Sequence, residues 1–241
     1  MIDISVIIAA RNEREYLEET LKRLSLSIRE AQKSNVNVEL IVVDSSDDDT
    51  PNIARKFTEK VYSFPLKGVS RARNYGAKMS HGRILTFMDA DTLVQKNTLI
   101  EIFKAFHNGS IAAITYVLPK NYNDLSFSEK LFYVLDGMFI KACRIIRPLL
   151  HFYNRGDIVA IRKDFFNAVN GFNEKLNMME ITVLLNKLLR LGKIKVLRNP
   201  VYESSRRLKQ WGFLKSHKIW LKNYLTFYLF KRLDANYEVV R

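Results

Sequence analysis

Short apolar runs and longer amphipathic stretches alternate along the first part of the chain. The β-branched run at residues 4–10 has the length of a strand, and residues 13–31 carry leucines and an isoleucine at helical spacing. The same alternation continues with strands at 36–44, 61–64 and 83–89 and with helices at 50–57 and 70–80. Strands interleaved with helices predict an α/β fold with a mostly parallel central sheet flanked by helices.

The pattern is less regular after residue 120. Residues 125–147 predict a helix, and residues 157–166 predict a strand that runs into a helix. A further helix is predicted at 180–193, closed by Gly192, and a short strand at 193–197. The second half therefore completes the sheet with fewer and shorter elements.

Positive charge is concentrated in the second half of the chain. The formal net charge is +14, with 47% hydrophobic and 27% charged residues, which is a globular composition. Residues 1–130 hold 18 Lys/Arg against 17 Asp/Glu, whereas residues 131–241 hold 21 against 8. This asymmetry predicts an anionic partner for the second half: nucleic acid, anionic lipid or a phosphorylated substrate.

Cysteine content and hydropathy predict a cytoplasmic protein. Cys143 is the single cysteine, which fits a reducing compartment, and we expect it to be a small buried residue. The first residues lack a basic region before the apolar run, so they predict a strand and not a signal peptide. The best candidate for a membrane span, residues 131–150, is interrupted by charged residues: Asp136, Lys141, Arg144 and Arg147.

Two aspartates end the apolar run at residues 84–88. Asp89 and Asp91 are separated by one alanine, and Asp44 ends the run at 36–44 in the same way. In open parallel sheets, ligands bind at the carboxyl ends of the strands. Aspartates are also common turn and capping residues, so the pair alone does not separate a structural turn from a binding site.

The chemistry of adjacent carboxylates indicates a bound cation. Each carboxylate would repel a nearby phosphate by about 4 kcal/mol at a separation of about 4 Å and an effective dielectric of about 20. A divalent ion reverses the sign, because carboxylate oxygens suit Mg²⁺ or Mn²⁺ and the ion stabilises a departing phosphate. We therefore expect Mn²⁺ or Mg²⁺ and a nucleoside diphosphate beside Asp89 and Asp91.

Four motifs in order resemble those of family-two glycosyltransferases of the GT-A fold. They are Ala-Ala-Arg-Asn-Glu at 9–13, the Asp-Ser-Ser-Asp segment within 42–50, the Arg-Asn-Tyr-Gly helix and Asp-Ala-Asp strand within 68–92, and Asn-Gly-Phe-Asn-Glu at 170–174. The resemblance implies a metal-dependent hexosyltransferase that uses a UDP- or GDP-sugar, with inversion. The implied acceptor is a lipid-linked glycan, a polyprenyl phosphate or a polysaccharide.

The resemblance also implies roles for individual residues. The implied nucleotide-sugar site consists of Ala9, Arg11, Glu13, Asp44, Arg71, Arg73, Asp89, Ala90 and Asp91. Asp44 would contact the base, the two arginines would approach the phosphates, and Asp91 with Asp89 would hold the metal. The loop after Asp44 is one residue shorter than is usual in the family and lacks its glycine.

One catalytic domain is implied for residues 1–203, followed by a tail. Residues 1–120 would bind the nucleotide-sugar, residues 121–203 would form the acceptor side, and residues 204–241 would form a basic, aromatic, helical extension. These divisions follow the order of the motifs along the chain.

The acceptor side departs from the family pattern. Family members usually place a base in a Glu-Asp pair, and the corresponding residues here are Glu180 and Ile181. Three interpretations stay open: Glu180 is the base, a phosphate acceptor needs none, or the chain binds without efficient transfer. Glu180 is favoured over Asp157, which lies in a segment that is usually near the acceptor. His151 and His217 are minor candidates for a further metal ligand.

The tail combines basic and aromatic residues. Residues 204–233 contain eight Lys/Arg, seven aromatic residues and no acidic residue. A terminal helix could pack its apolar face on the domain, or it could lie on an anionic membrane with Trp and Tyr at headgroup depth. The second interpretation predicts a peripheral location at the inner face of the membrane, with Arg206 and Arg207 binding a diphosphate or an acceptor phosphate.

Two other classes of protein fit parts of the pattern. A nucleic-acid-binding module would suit the basic half, but its cations are interleaved with apolar residues and no nucleic-acid motif is present, so no nucleic-acid partner is expected. A nucleotidyltransferase would usually carry a Gly-rich loop, which residues 9–15 lack. The remaining alternative is a basic membrane- or nucleic-acid-binding protein that keeps the fold without efficient transfer.

Overall fold

The computed structural model of the protein describes residues 1–65, 68–153, 155, 157–176, 178–203 and 213–230. The strands are β1 (Ile4–Ala10), β2 (Val38–Asp44), β3 (Val61–Ser63), β4 (Ile84–Asp89), β5 (Thr92–Leu93), β6 (Ser110–Ile114), β7 (Val117–Pro119), β8 (Ile158–Arg162), β9 (Lys193–Val196) and β10 (Val201–Glu203). The helices are α1 (Leu17–Lys33), α2 (Thr50–Arg55), α3 (Val69–Met79), α4 (Thr98–His107), α5 (Phe127–Cys143), α6 (Lys163–Ala168), α7 (Glu180–Leu188) and α8 (Phe213–Phe230). Two 3₁₀ segments occupy Tyr122–Asp124 and Arg147–Phe152.

Seven strands form the central sheet in the order β3-β2-β1-β4-β8-β6-β9. The first four are parallel neighbours, and β6 is parallel to β9. Strand β8 runs antiparallel to both β4 and β6. The predicted α/β fold with a mostly parallel sheet is therefore confirmed, with β8 as a reversed strand inside it. A smaller sheet has the order β5-β10-β7.

The central sheet is buried on both faces. Ile4, Val6 and Ile8 of β1 pack in one cluster with the leucines of α1 and with α4. Ile7 points to the other face, where it packs in a second cluster with residues of α3 and α7. Alternate residues of a strand point to opposite faces, so a strand covered on both sides is apolar at nearly every position. This explains the continuous apolar runs in the sequence.

α1 begins later than predicted, whereas α2 begins at the predicted residue. α1 begins at Leu17 and not at residue 13: residues 14–16 form a turn, and the backbone N–H of Glu13 donates to Thr50 Oγ1 at 2.8 Å. α2 begins at Thr50, and Asp48 Oδ1 accepts the Thr50 backbone N–H at 3.0 Å. α5 begins with a capping box formed by Ser126 and Glu129.

The described part of the tail is helical and contacts the domain. In α8, Tyr228 donates a hydrogen bond to the backbone oxygen of His151, and the rings of Tyr224 and Tyr228 pack near Phe152. None of the helices in the described ranges is long and apolar enough to cross a bilayer. Cys143 is buried, as predicted.

A buried carboxylate joins the amino ends of three strands, at the sheet edge opposite the aspartates. Glu39 Oε1 accepts hydrogen bonds from Ser5 Oγ at 2.5 Å, His81 N at 2.6 Å and Gly82 N at 3.2 Å. Glu39 Oε2 accepts from Lys60 Nζ at 2.5 Å. Burial alone would raise the pKa of Glu39, but these donors outweigh it and lower the pKa to about 2.

We expect Glu39→Gln to lower the free energy of unfolding by about 2 kcal/mol at neutral pH, because its amide nitrogen would face Lys60 Nζ. The folded-state pKa lies below the ordinary value of 4.5, so the stabilisation is complete above about pH 5 and is lost as the pH falls towards 2. Urea denaturation should show the difference between the two proteins shrinking over that range. Glu30→Gln, which removes an exposed pair with Lys33, is the control, and a difference that stays constant to about pH 3 would contradict the prediction.

Candidate functional site

Two aspartates flank the carboxyl end of β1. The strand register places Ala10 opposite Asp44 of β2, and Ala9 opposite Asp89 of β4. The carboxyl ends of β1, β2 and β4 therefore meet at one edge of the sheet. This edge carries most of the residues that the sequence motifs select.

The loop after β1 is held against the loop after β2. Asn12 adopts a left-handed backbone conformation with φ 55°. Its backbone N–H donates to Ser46 Oγ at 2.8 Å, and its side-chain oxygen accepts from the backbone N–H of Asp47 at 2.9 Å. Glu13 is buried, and Arg11 Nε is buried without a hydrogen-bond partner among the described residues. The first motif thus fixes a loop beside Asp44.

Asp44 is a buried carboxylate with a local partner. Its Oδ1 accepts from Ser46 Oγ at 2.6 Å, and its Oδ2 accepts from Ser46 N at 3.3 Å. Burial raises the pKa of Asp44, and the two bonds from Ser46 oppose that rise. Each carboxylate oxygen can accept more than one bond, so Asp44 retains capacity for an N–H donor such as that of a nucleotide base.

A buried arginine joins Asp89 to Glu180. Arg73 NH2 donates to Asp89 Oδ1 at 2.6 Å, and Arg73 NH1 donates to Glu180 Oε1 at 2.9 Å. The guanidinium also lies 5.4 Å from the centre of the Phe172 ring. Burial opposes its charge, but Asp89 and Glu180 outweigh this and raise the pKa of Arg73. The pairs link β4, α3 and the first residue of α7.

The two predicted phosphate-binding arginines lie in different environments. The Arg73 side chain is 3% exposed, whereas the Arg71 side chain is 44% exposed, with Nε 4.0 Å from Glu174 Oε2. Contact with a phosphate stays a prediction for both. The pairs of Arg73 indicate that it holds the two carboxylates in place, and the exposed guanidinium of Arg71 can reach a ligand more easily.

Other residues of the motifs hold α3 in place. The side chain of Asn74 donates to Phe172 O at 2.9 Å, and its oxygen accepts from Phe172 N at 3.0 Å. A Cβ at Gly76 would lie 2.4 Å from Ile7 Cγ2, so the helix touches β1 directly. Gly171 has φ +60°, and a Cβ there would lie 2.7 Å from Asn74 Oδ1. The helix of the third motif, within 68–92, therefore packs directly against the fourth motif at 170–174.

The chain turns after Asp89 through Ala90 and Asp91 into the smaller sheet. Ala90 is buried and Asp91 is half-buried. In β5, Thr92 pairs with Glu203 of β10. The last residue of β10 is thereby placed beside the Asp-Ala-Asp turn.

A buried ionic cluster around Arg155 was not predicted from the sequence. We call Arg155, Asp136, Asp157 and Glu203 the Arg155 cluster. Arg155 NH2 donates to Glu203 Oε1, its Nε lies 3.5 Å from Asp157 Oδ2, and its NH1 lies 4.0 Å from Asp136 Oδ2. Tyr133 also donates to Glu203 at 2.9 Å. Arg155 stands two residues before Asp157, and a cation so close to a predicted site residue was the available signal.

The Arg155 cluster adjoins the aspartate turn. The backbone oxygen of Asp157 accepts from the Asp89 N–H at 3.2 Å. Burial raises the pKa of Asp157 to about 8; Glu203, Asp89 and Asp91 act in the same direction and Arg155 opposes them. Around Arg73, Arg155 and the aspartate turn lie six carboxylates: Asp89, Asp91, Asp136, Asp157, Glu180 and Glu203. With a pKa of about 8, Asp157 is largely protonated at neutral pH. The other five carboxylates still outnumber the two guanidinium groups, so the edge favours an added cation.

The donor set fits a divalent ion shared with a diphosphate. Within the described residues, no three acidic, histidine or cysteine side chains gather closely enough to hold a metal alone. Mg²⁺ at nucleotide sites usually takes one or two carboxylates together with phosphate oxygens, which Asp89 and Asp91 can match. His151 Nδ1 lies 2.7 Å from Asn186 Oδ1. Arg206, Arg207 and the side chain of His217 lie outside the described residues.

A mixed sheet with an acidic carboxyl edge defines a class of protein. The fold is that of the GT-A glycosyltransferases, because solved structures of this class superpose on most of the chain. S. aureus TarS in complex with UDP-GlcNAc matches with a TM-score of 0.66 at 20% identity, over 85% of this chain and 59% of that one. Glucosyl-3-phosphoglycerate synthase from Mycobacterium tuberculosis, in complex with Mn²⁺, UDP and phosphoglyceric acid, matches with a TM-score of 0.62 at 19% identity, over 95% and 78%.

The chain belongs to glycosyl transferase family 2, whose family model matches residues 5–169. A sequence relative is the dolichol-phosphate mannosyltransferase of Pyrococcus furiosus, 28% identical over 210 residues. The match covers 82% of this chain and 55% of that protein, so the chain spans about half the length of this relative. The resemblance that the four motifs predicted is confirmed.

Proposed function

We propose that the protein is a metal-dependent glycosyltransferase that moves a sugar from a UDP- or GDP-sugar to a lipid-linked or polysaccharide acceptor, with inversion. The observation that carries the proposal is the Asp89-Ala90-Asp91 turn at the carboxyl edge of a family 2 fold, beside Asp44. A relative named for dolichol phosphate and neighbours solved with UDP-GlcNAc or with UDP and Mn²⁺ support the donor and acceptor classes.

On the donor side, each residue type suits one part of a nucleotide-sugar. Asp44 would accept an N–H of the base, with Ala9, Arg11 and Glu13 lining the base and ribose. Asp89 and Asp91 would hold Mn²⁺ or Mg²⁺, which supplies Lewis-acid stabilisation of the diphosphate leaving group. Arg71 would approach the phosphates from the first turn of α3, because guanidinium groups bind phosphate in bidentate fashion.

On the acceptor side, a carboxylate would take the proton of the attacking hydroxyl. The acceptor oxygen bonds to the anomeric carbon while the bond to the diphosphate oxygen breaks, and the base receives the proton. Glu180 and Asp157 both adjoin Asp89, one through Arg73 and the other through a backbone bond. We assign the base to Glu180, whose side chain is more exposed than that of Asp157, at 13% against 9%.

We propose that the protein works peripherally at the inner face of the membrane, where an acceptor of this class would lie. The basic tail, including Arg206 and Arg207, would contact anionic lipid or the acceptor phosphate. The exposed lysines of α8, Lys218 and Lys222, support this peripheral contact.

Release of UDP or GDP from a panel of sugar nucleotides, with Mn²⁺ or Mg²⁺ and with EDTA as the control, tests the proposal. Metal-dependent release that rises with a polyprenyl phosphate or glycan acceptor supports transfer. Metal-dependent binding without release from any donor would favour the binding protein without efficient transfer. Absence of binding to either nucleotide would contradict both.

We expect Glu180→Gln to lower the turnover number by about 100-fold, because glutamine accepts the Arg73 bond but takes no proton. Affinity for UDP or GDP with metal should change less than about threefold, because the pair with Arg73 is kept in part. Asp157→Asn should lower turnover less, and a larger fall would move the base assignment to Asp157. Asp124→Asn, at an exposed position of the first 3₁₀ segment, is the control.

A further inference from the structure

Helix α5 is apolar on two opposite faces. One face is buried: Tyr133, Ile140 and Cys143 pack towards the domain, and Asp136 enters the Arg155 cluster from the same side. The opposite face is exposed and carries large apolar side chains at helical spacing: Phe127, Leu131, Val134, Leu135 and Met138, between 46% and 83% exposed. Ile145, just after the helix, is 87% exposed and continues this row.

Such a row is unusual on a surface that faces only water. Single exposed apolar residues are normal, but contiguous apolar patches mark surfaces that meet another phase or molecule. The bonds of α5 to the domain do not require this composition, because its buried face already fixes the helix. The exposed apolar face of α5 therefore has a use that the catalytic site does not explain.

Cations accompany the exposed face. Lys141, Arg144 and Arg147 are exposed at its carboxyl-terminal end, and Lys130 is half-buried near its start. Arg144 and Arg147 are fixed by bonds to backbone oxygens, the first to Leu197 O at 2.6 Å. The acidic side chains of the helix lie elsewhere: Glu129 closes the capping box, and Asp136 is on the buried side.

Helix α8 repeats the same combination. Its described exposed side chains are two lysines and three leucines: Lys218, Leu221, Lys222, Leu225 and Leu229. Its other side meets the 3₁₀ segment Arg147–Phe152, through the bond from Tyr228 to His151 O and the ring contacts with Phe152. α5 packs against the same 3₁₀ segment. Both helices thus adjoin one part of the surface and expose leucines together with cations.

We propose that the exposed face of α5 is a docking surface for a bilayer that contains anionic lipids. A helix lying in the interface buries its apolar face about 5–10 Å into the headgroup and acyl boundary, and each Lys or Arg near anionic lipid adds about 1 kcal/mol. A second copy of the chain fits less well, because it would bring together two halves that each carry 21 Lys/Arg against 8 Asp/Glu.

The inference goes beyond the proposed function. The lipid contact proposed above rests on the tail, whereas α5 lies within the catalytic fold and carries Asp136 next to Arg155. It requires no glycosyl transfer. Docking through α5 would hold the acceptor side of the sheet edge at the membrane surface even when the tail is displaced.

Co-sedimentation of the full chain with vesicles of phosphatidylcholine, with and without phosphatidylglycerol, tests the inference. The test variant replaces three residues of the exposed face: Phe127→Ser, Leu131→Ser and Met138→Ser. The control variant, Leu26→Ser with Leu191→Ser, replaces exposed leucines elsewhere on the surface. We expect the parent to bind vesicles that contain phosphatidylglycerol more tightly than vesicles of phosphatidylcholine alone. The triple variant should bind about tenfold more weakly than the parent, because binding scales with the buried apolar area. The control variant should bind as the parent does.

Three outcomes would overturn the inference. They are equal binding of the triple variant and the parent, absence of binding to either vesicle, and a dimer of the parent in analytical ultracentrifugation that the triple variant dissociates. Thermal unfolding and UDP or GDP binding by the triple variant show whether the fold is intact. Absence of vesicle binding by the parent with intact release of UDP or GDP would reject this inference and the lipid contact of the tail, but not glycosyl transfer. Vesicle binding that the triple variant loses, with no release of UDP or GDP by the parent, would reject only the transfer.

Discussion

Asp91→Ala is expected to abolish the metal-dependent binding of UDP and GDP, with a fall in affinity of about 1,000-fold. The loss corresponds to about 4 kcal/mol, which is the order of a lost charged ligand to a divalent ion that also binds a diphosphate. We choose Asp91 over Asp89 for this test, because Asp89 Oδ1 also accepts a hydrogen bond from Arg73 NH2 at 2.6 Å. Replacing Asp89 would change the site and the packing together.

The same variant makes an opposite prediction without metal. In EDTA, the Asp91 carboxylate repels a diphosphate, so Asp91→Ala should bind UDP as well as the parent or slightly better. Isothermal titration calorimetry with and without Mn²⁺ measures both arms, with Asp124→Ala as the control at an exposed position. Equal Mn²⁺-dependent affinities of the variant and the parent would remove Asp91 from the metal site.

Arg73→Met is expected to lower the free energy of unfolding by about 3 kcal/mol, because it leaves two half-buried carboxylates, Asp89 and Glu180, without their cation. Asp89 and Glu180 would then repel each other across an apolar side chain beside Phe172. Arg73→Lys should recover part of the lost stability, since lysine restores the positive charge but not the planar guanidinium that donates to both carboxylates. Urea denaturation of the three proteins measures the series.

Arg71→Met is the matched comparison, two residues earlier on the same helix. The Arg71 side chain is 44% exposed, so its loss should change the unfolding free energy by about 0.5 kcal/mol or less. If Arg71 contacts the phosphates, the same change should weaken UDP or GDP binding by about tenfold, the scale of one charge-assisted contact. An Arg73→Met protein as stable as the parent but unable to bind nucleotide would make Arg73 a ligand and not a support.

The donor side of the fold could be predicted from the sequence because its signals are local. Strands β1, β2 and β4 are apolar runs that end in Ala10, Asp44 and Asp89, and parallel strands bring such ends together. The start of α1 was predicted four residues too early, because residues 14–16 form a turn that the leucine spacing does not reveal.

The Arg155 cluster could not be predicted in this way. Its members stand at residues 136, 155, 157 and 203, and their contacts depend on how α5, β8 and β10 come together. The same holds for the pair of Arg73 with Glu180, which are 107 residues apart. The exposed apolar face of α5 could not be predicted either. Residues 131–150 place apolar residues on both sides of the helix, and only the fold shows which side is covered.

The reversed direction of β8 lets the segment ahead of it vary independently of strands β1, β2 and β4. Because β8 is antiparallel to β4, Asp157, just before β8, lies beside Asp89 at the end of β4. The segment ahead of β8 can therefore change its length or composition beside Asp89 while β1, β2 and β4 keep their register. If the protein transfers a sugar as proposed, grafting this one short connection would change its acceptor preference and leave β1, β2 and β4 untouched.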